Sequence, residues 1–251
     1  MMDSSPSLIN PKKSRSEPSI GPLAYMIPLP TDLNRLSRLF QEKGRVLYKN
    51  IFMRIFHWDD RTDSLALAGP FQGAPQAVMV LEKLIVLGAK RVVLFGWTGS
   101  LDPTLEPGDL ILAEEAVSEE GTSCHYSKDL RPRASVSLVE ELKTALKGEG
   151  MHFKQGPVWT TDAPYRETAE KVKRFQAEGV LGVDMETSAL YTVGAFRGIE
   201  VAALLVVSDD LSQLKWRHGF KEGRFLEARK KLAQFLYQFA YPFPIKKFTA
   251  R

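Results

Sequence analysis

The feature that most narrows what this chain can fold into is a repeated switch between two hydrophobic periods. Short unbroken apolar runs, such as Val92-Val93-Leu94-Phe95 and Val201-Ala202-Ala203-Leu204-Leu205-Val206-Val207, suit strands covered on both faces. On this basis strands are expected over residues 24–27, 51–56, 64–68, 91–95, 109–117, 152–159 and 201–208. Helical spacing fills the intervals. Thr31 and Asp32 lead into Leu33, Leu36, Leu39 and Phe40, which share one helical face. A helix over 76–87 stops at Gly88. Ser137 with Glu140 has the spacing of a capping box for a helix that ends near Gly148. Helices near 167–178 and 185–197 are followed by Gly179 and Gly198, and a last one over 223–239 runs into Pro242 and Pro244. Strands alternating with helices imply a layered α/β domain. Ligands in such sheets bind beyond the carboxyl ends of strands, so residues that directly follow apolar runs carry the most information.

The 251 residues are enough for one large domain with a substantial core. Residues 1–22, rich in Ser, Pro and Lys, read as a flexible arm; 23–245 read as a single folded domain; 246–251 form a basic tail. No apolar run approaches the roughly 18–20 residues that span a bilayer. The N-terminus lacks the apolar stretch of a secretory signal. One cysteine, Cys124, excludes an internal disulfide framework and fits a reducing cytoplasm. Lys246, Lys247 and Arg251 supply three of the four net positive charges, which leaves the body near neutrality. Neither a nucleic acid nor an anionic membrane is therefore expected as partner.

Three stretches place polar residues or glycines where apolar runs end. The first is Gly96-Trp97-Thr98-Gly99-Ser100. Its glycines let a backbone approach an anion or sugar, and Thr98 or Ser100 could donate to it. Taken alone, a tight turn with a surface hydroxyl is the plainer reading. The second is Asp184-Met185-Glu186 at the start of an expected helix. The helix dipole accounts for at least one of these carboxylates. Glu186 could also accept from two neighbouring sugar hydroxyls while Met185 packs on the ring. The third is Ser208-Asp209-Asp210, closing a buried run. One aspartate can cap a turn, leaving the other free as a general acid. His57, His125, His152 and His218 are scattered, and with a single cysteine they show no metal-ligand spacing. Cys124 and His125 would point opposite ways on a strand.

In order and spacing these stretches resemble the nucleoside phosphorylase-I family of purine nucleoside and uridine phosphorylases and related nucleosidases. The resemblance covers residues 24–240. It adds a glycine-rich turn, Gly69-Pro70-Phe71-Gln72-Gly73-Ala74-Pro75, and a segment Thr160-Thr161-Asp162-Ala163-Pro164-Tyr165. The resemblance implies a phosphorylase/hydrolase-like three-layer α/β fold, with a central twisted mixed sheet flanked by helices. It also implies cleavage of the bond between ribose and a base, with phosphate as co-substrate, no organic cofactor and no metal. A homo-oligomer, dimer or hexamer, is implied as well.

By the same resemblance Glu186 and Met185 hold the ribose, Asp209 protonates a purine ring nitrogen, and Ser208 orients that acid. Thr98, Gly99, Thr161 and Tyr165 complete the substrate site, and Tyr165 or Trp159 lines the base pocket. An acid at 209 favours a purine over uridine. The phosphate side departs from the family, because Leu94 and Trp97 stand where an arginine and a small hydroxyl residue are usual. Thr98, Arg54, Arg166 and Arg217 are the candidate substitutes. The alternatives are a hydrolytic nucleosidase, a uridine phosphorylase, or a nucleoside-binding relative without turnover.

Overall fold

In a computed structural model the described residues are 7–15, 17, 19–40, 45–49, 54–58 and 65–240; for 45–49 and 55–58 the description is of the backbone alone. The basic tail at 246–251 and residues 51–53 of the second expected strand lie outside them.

Among the described residues ten strands are arranged around one buried apolar run, the segment centred on Val201–Val207. This run is β9 (Glu200–Asp210). It pairs in parallel with β5 (Arg91–Ser100) and antiparallel with β6 (Leu110–Glu119). β6 continues into β7 (Lys154–Thr161), β7 into β8 (Gly182–Asp184), and β8 returns antiparallel to β5. Five strands thus close on themselves. Outward from β5 the sheet extends through β1 (Leu23–Met26), β4 (Leu65–Gly69), β3 (Arg54–Trp58) and β2 (Arg45–Lys49), while β10 (Arg217–His218) adds to the far edge of β9. Parallel and antiparallel pairs are mixed, as expected. The central strands are buried throughout, which is why their sequences are unbroken apolar runs instead of alternating ones.

The helices flank this sheet: α1 (Pro30–Leu39), α2 (Gly73–Leu87), α3 (Val136–Gly148), α4 (Ala169–Ala177), α5 (Thr187–Arg197) and α6 (Gly223–Ala240). Proline at the first turn of α1 and left-handed Gly198 after α5 are ordinary start and stop devices. Three expectations change. α3 begins after Ser135, and the Ser137 hydroxyl bonds Glu200 across to β9 instead of forming a capping box. Cys124 and His125 lie on a 3-10 turn, not a strand. Within the expected arm, Ile20 is buried with its N–H on the Leu87 carbonyl, and Glu17 is paired with Lys83. That end of the segment is docked on α2.

The largest difference concerns the expected turn after Phe95. β5 runs on through Gly96 to Ser100, because β9 remains beside it and β8 joins from the other side at Gly99 and Ser100. Pairing on both edges overrides the local preference of glycine for turns. At Gly99 a Cβ would stand 2.8 Å from a Leu211 methyl and 3.1 Å from a carboxylate oxygen of Asp209, so any side chain there would have to displace both.

Candidate active site

Strand ends and the loops after them enclose a cavity of about 990 Å3. Its walls come from the β1–α1 turn, the start of α2, the end of β5, the segment after β7, the β8–α5 junction, and the residues from Ser208 to Phe220. Sequentially distant stretches meet here, as the rule about strand ends anticipates.

One end is built at the β8–α5 junction. Asp184 is the last residue of β8 and is buried. Its carboxylate accepts from Thr160 Oγ1 at 2.6 Å, from Thr187 N–H at 3.0 Å and from the Thr187 hydroxyl. It therefore ties β7 and β8 to the first turn of α5. Burial lifts its carboxyl to about 6 even against these hydrogen bonds. Glu186, at the N-cap of α5, differs: it is 8% exposed and accepts from backbone N–H groups, that of Gly73 at 2.7 Å and that of Met185, with no side-chain donor. Gly73 has φ +76, a left-handed conformation suited to glycine, as it turns the chain into α2. Burial first, and the Asp184 charge second, push the Glu186 carboxyl up to about 8. A carboxylate so short of donors gains most from a ligand that brings hydroxyl groups. Met185 lines the cavity between the two.

Another wall carries the end of β9. Asp209 Oδ1 accepts from Ser208 Oγ at 2.6 Å and Oδ2 from Trp216 Nε1 at 2.9 Å. Its neighbour Asp210 accepts from Ser212 N–H at 2.8 Å and lies 3.6 Å from the Arg217 guanidinium, so it closes the turn. Beside Asp209 stands Glu167, raised to about 7 by burial and then by the Asp209 charge. Trp216 and Phe220 line this rim, and His218 bridges them, edge-on to Trp216 and stacked on Phe220.

A third wall is apolar. The indole of Trp97 donates to Asp32 at 2.8 Å, and Asp32 is clamped by Arg229 at 2.7 and 2.9 Å. The Arg229 guanidinium stacks 4.6 Å from the Trp97 ring. Asp32 and Arg229 are 1% and 5% exposed, so this pair is a buried tie between α1, β5 and α6. Among the described residues no lysine or arginine lines the cavity.

Of the residues expected at the site, Met185, Glu186, Thr98, Gly99, Tyr165, Ser208 and Asp209 all line this one cavity. Thr98 is buried and gives its proton to the Val183 carbonyl at 2.9 Å, so its hydroxyl is not a donor for an anion. Thr161 faces inward, accepting weakly from Ala163 N–H, and Trp159 is fully buried against Phe175; neither reaches the cavity. The candidate phosphate ligands are not brought together. Arg54 is on β3 opposite Gly69, Arg166 is exposed, and Arg217 is held by Asp210 and Glu222. The sequence reading did not select Glu167, the Asp32–Arg229 clamp, or the aromatic rim. For the rim a signal was present, since Trp216, His218 and Phe220 alternate with period two. For Glu167 and the clamp no local pattern exists, because their partners are distant in sequence.

No helix among the described residues is long and apolar enough to cross a membrane, and no cluster of three or more His, Cys, Asp or Glu among them could hold a metal ion. The sequence model of the phosphorylase superfamily matches residues 22–240. A DeoD-type purine nucleoside phosphorylase of Clostridium novyi (strain NT) is 31% identical over 150 residues, covering 59% of this chain and 64% of that protein. The match thus spans a little under two thirds of the length of this curated relative. A uridine phosphorylase structure from Vibrio fischeri ES114 superposes with a TM-score of 0.80 at 25% identity, covering 94% of this chain and 99% of that one. A purine nucleoside phosphorylase of Toxoplasma gondii, solved with immucillin-H, has the same fold at 21% identity, with a TM-score of 0.79 over 89% of this chain and 92% of that one.

Proposed function

Since this chain belongs to the phosphorylase superfamily, we propose that it cleaves the N-glycosidic bond of a purine nucleoside and passes the ribose to phosphate. The observation that carries the reading is one cavity with Glu186 and Met185 at one end and Asp209 with Ser208 on another wall. As the bond from C1′ to the base nitrogen lengthens, the sugar gains positive charge and the base gains electrons. Asp209, protonated, donates to N7 of the purine, and the electron pair of the breaking bond stays with the departing base. A phosphate oxygen forms the new bond to C1′, giving ribose 1-phosphate and free base. Glu186 accepts from the ribose hydroxyls, which supply the donors its buried carboxylate lacks. No organic cofactor or metal enters this scheme. We place the reaction in the cytoplasm, in a homo-oligomer, dimer or hexamer, of this chain.

A second reading replaces phosphate with water. It is favoured by the Trp97 wall and by the lack of a lysine or arginine around the cavity among the described residues. A dianion buried there would need cations from a second subunit. Purified protein incubated with a panel of purine and pyrimidine nucleosides, with and without phosphate, separates the readings. Base release that requires phosphate and yields ribose 1-phosphate supports the first. Release of base and free ribose without phosphate replaces it with the second, and no release in either arm leaves only nucleoside binding.

A further inference from the structure

Among the described residues four carboxylates line the cavity, and three are engaged by the protein: Asp184 by two threonines, Glu186 by Gly73, and Asp209 by Ser208 and Trp216. Glu167 is different. It follows the 3-10 turn Pro164–Arg166, borders the cavity, and has no hydrogen-bond or ion-pair partner among the described residues. Two charged groups act on it. From β9 there is Asp209, and from α4 there is Lys171, whose ammonium is already held by Glu119 at 2.9 Å and lies 5.6 Å over the Trp159 ring. A carboxyl group half withdrawn from bulk water and left unpaired is costly for a protein to keep. A ligand group is the natural occupant of its free lone pairs.

We propose that Glu167 selects the base by hydrogen-bonding the substituent at position 6 of a purine whose N7 faces Asp209. This rests on the role given to Asp209 above and adds what the base must carry. N7 and the 6-substituent lie on one edge of a purine: adenine shows an acceptor and an amino donor there, whereas 6-oxopurines show two acceptors. Two adjacent carboxyl groups can serve that edge in two ways. With a proton on Asp209 alone, N7 receives it and ionised Glu167 accepts from a 6-amino group. A 6-oxo group instead requires a proton on each, so that Glu167 can donate to the oxygen. The 6-aminopurine therefore needs one proton on the pair and the 6-oxopurine two. Protonation of N7 also makes the 6-amino group a stronger donor, so its contact with an anionic Glu167 tightens as the bond breaks. Burial and the Asp209 charge hold Glu167 near neutrality, at about 7, and Lys171 opposes that shift. Because the two substrates differ by one bound proton, the preference for the 6-aminopurine rises with pH whichever carboxyl takes the first proton.

The test is kcat/KM for adenosine and inosine between pH 5.5 and 8.5, in the wild-type protein and in Glu167→Gln. The adenosine-to-inosine ratio of the wild type is expected to rise with pH by about 10- to 100-fold, the worth of a hydrogen bond to a charged group. In Glu167→Gln the amide both donates and accepts, so the ratio becomes flat while inosine is still cleaved. A flat wild-type ratio overturns the assignment, and so does an unchanged slope in the variant. Loss of both substrates in parallel, with an unchanged melting temperature, overturns it too. Wild-type protein that cleaves purine nucleosides with a flat ratio refutes only the role of Glu167. Wild-type protein that cleaves none refutes the function proposed above and this inference with it.

Discussion

Two strands of this protein end in a pair of acidic residues, and the two pairs divide their labour in the same way by different means. At the end of β8, Asp184 ties down threonines of β7 and α5 while Glu186 borders the cavity with backbone donors alone. At the end of β9, Asp210 closes a turn while Asp209 faces the cavity between Ser208 and Trp216. The difference is depth. The β8 pair is buried, so charge is expensive there and both carboxyls are lifted, Asp184 to about 6 and Glu186 to about 8. The β9 pair lies nearer the rim, half-buried. At β8 the carboxylate tied by three donors serves the fold; at β9 the division is one of position, since Asp209 lines the cavity and Asp210 does not.

The sharpest way to break this comparison is to exchange a cavity-facing acid for a neutral side chain. Asp209→Ala is expected to lower turnover of a purine nucleoside by about 10²–10⁴-fold, the usual cost of losing a general acid, with little change in melting temperature. Steady-state rates with saturating nucleoside and phosphate measure it. A variant that keeps wild-type turnover removes Asp209 from the chemistry. The tied member of the deep pair should behave in the opposite manner. Asp184→Ala leaves buried donors of Thr160 and Thr187 unpaired, and its unfolding free energy in urea at neutral pH should fall by about 3 kcal/mol. Asp184→Asn, which retains an acceptor, should lose less. Equal losses in the two variants would mean that the tie depends on charge and not on hydrogen bonding.

These contrasts also show what could be read from the sequence. The apolar runs at 92–95 and 201–207 identified central strands, since a strand buried on both faces cannot afford polar residues. The carboxylates beyond strand ends identified the cavity, because charges are tolerated next to a core only where they are paired or used. Which member of each pair borders the cavity came from the resemblance, which selected Glu186 and Asp209, and not from the local pattern. That is decided by donors contributed from elsewhere, Gly73 for Glu186 and Trp216 for Asp209. Short β8 (Gly182–Asp184) was not among the expected strands, since three residues carry too little periodicity. The continuation of β5 past Gly96 was likewise hidden, being imposed by the neighbouring β8 and β9. The arginines expected to meet phosphate followed from resemblance alone, and the structure leaves them around the periphery.

A smaller effect sharpens the role of depth. Glu186 has an ordinary value of 4.5 and is raised to about 8 in the fold. Below pH 4.5 the folded and unfolded chains both hold the proton, and its contribution is fully present. Between 4.5 and 8 the unfolded chain releases the proton while the folded chain retains it, so this contribution to stability declines as pH rises. Glu186→Gln removes the titration. The variant should therefore melt at a temperature less dependent on pH across this window than the wild type does, with the gap widening toward pH 8. It should also bind and cleave nucleosides poorly, because an amide offers the sugar hydroxyls one acceptor oxygen in place of two. A parallel pH dependence in the two proteins would place the burial cost on Asp184 instead.

The smallest effect expected is at Asp210, and it tests whether the shallow pair is divided as described. Its carboxylate accepts one backbone N–H, from Ser212, and faces Arg217 at 3.6 Å, a guanidinium whose side chain is 48% exposed and also bonded to Glu222. The hydrogen bond contributes about 1 kcal/mol, and the half-exposed ion pair adds little. Asp210→Ala should cost about that amount in urea unfolding and leave turnover unchanged, since no atom of the residue lines the cavity. The informative comparison is with Asp209→Ala measured side by side. If Asp210→Ala instead produced the larger loss of turnover, the turn it holds would be the element that orients Trp216 against Asp209. The acid would then depend on its neighbour for position, and the division of labour at β9 would be shared where that at β8 is separate.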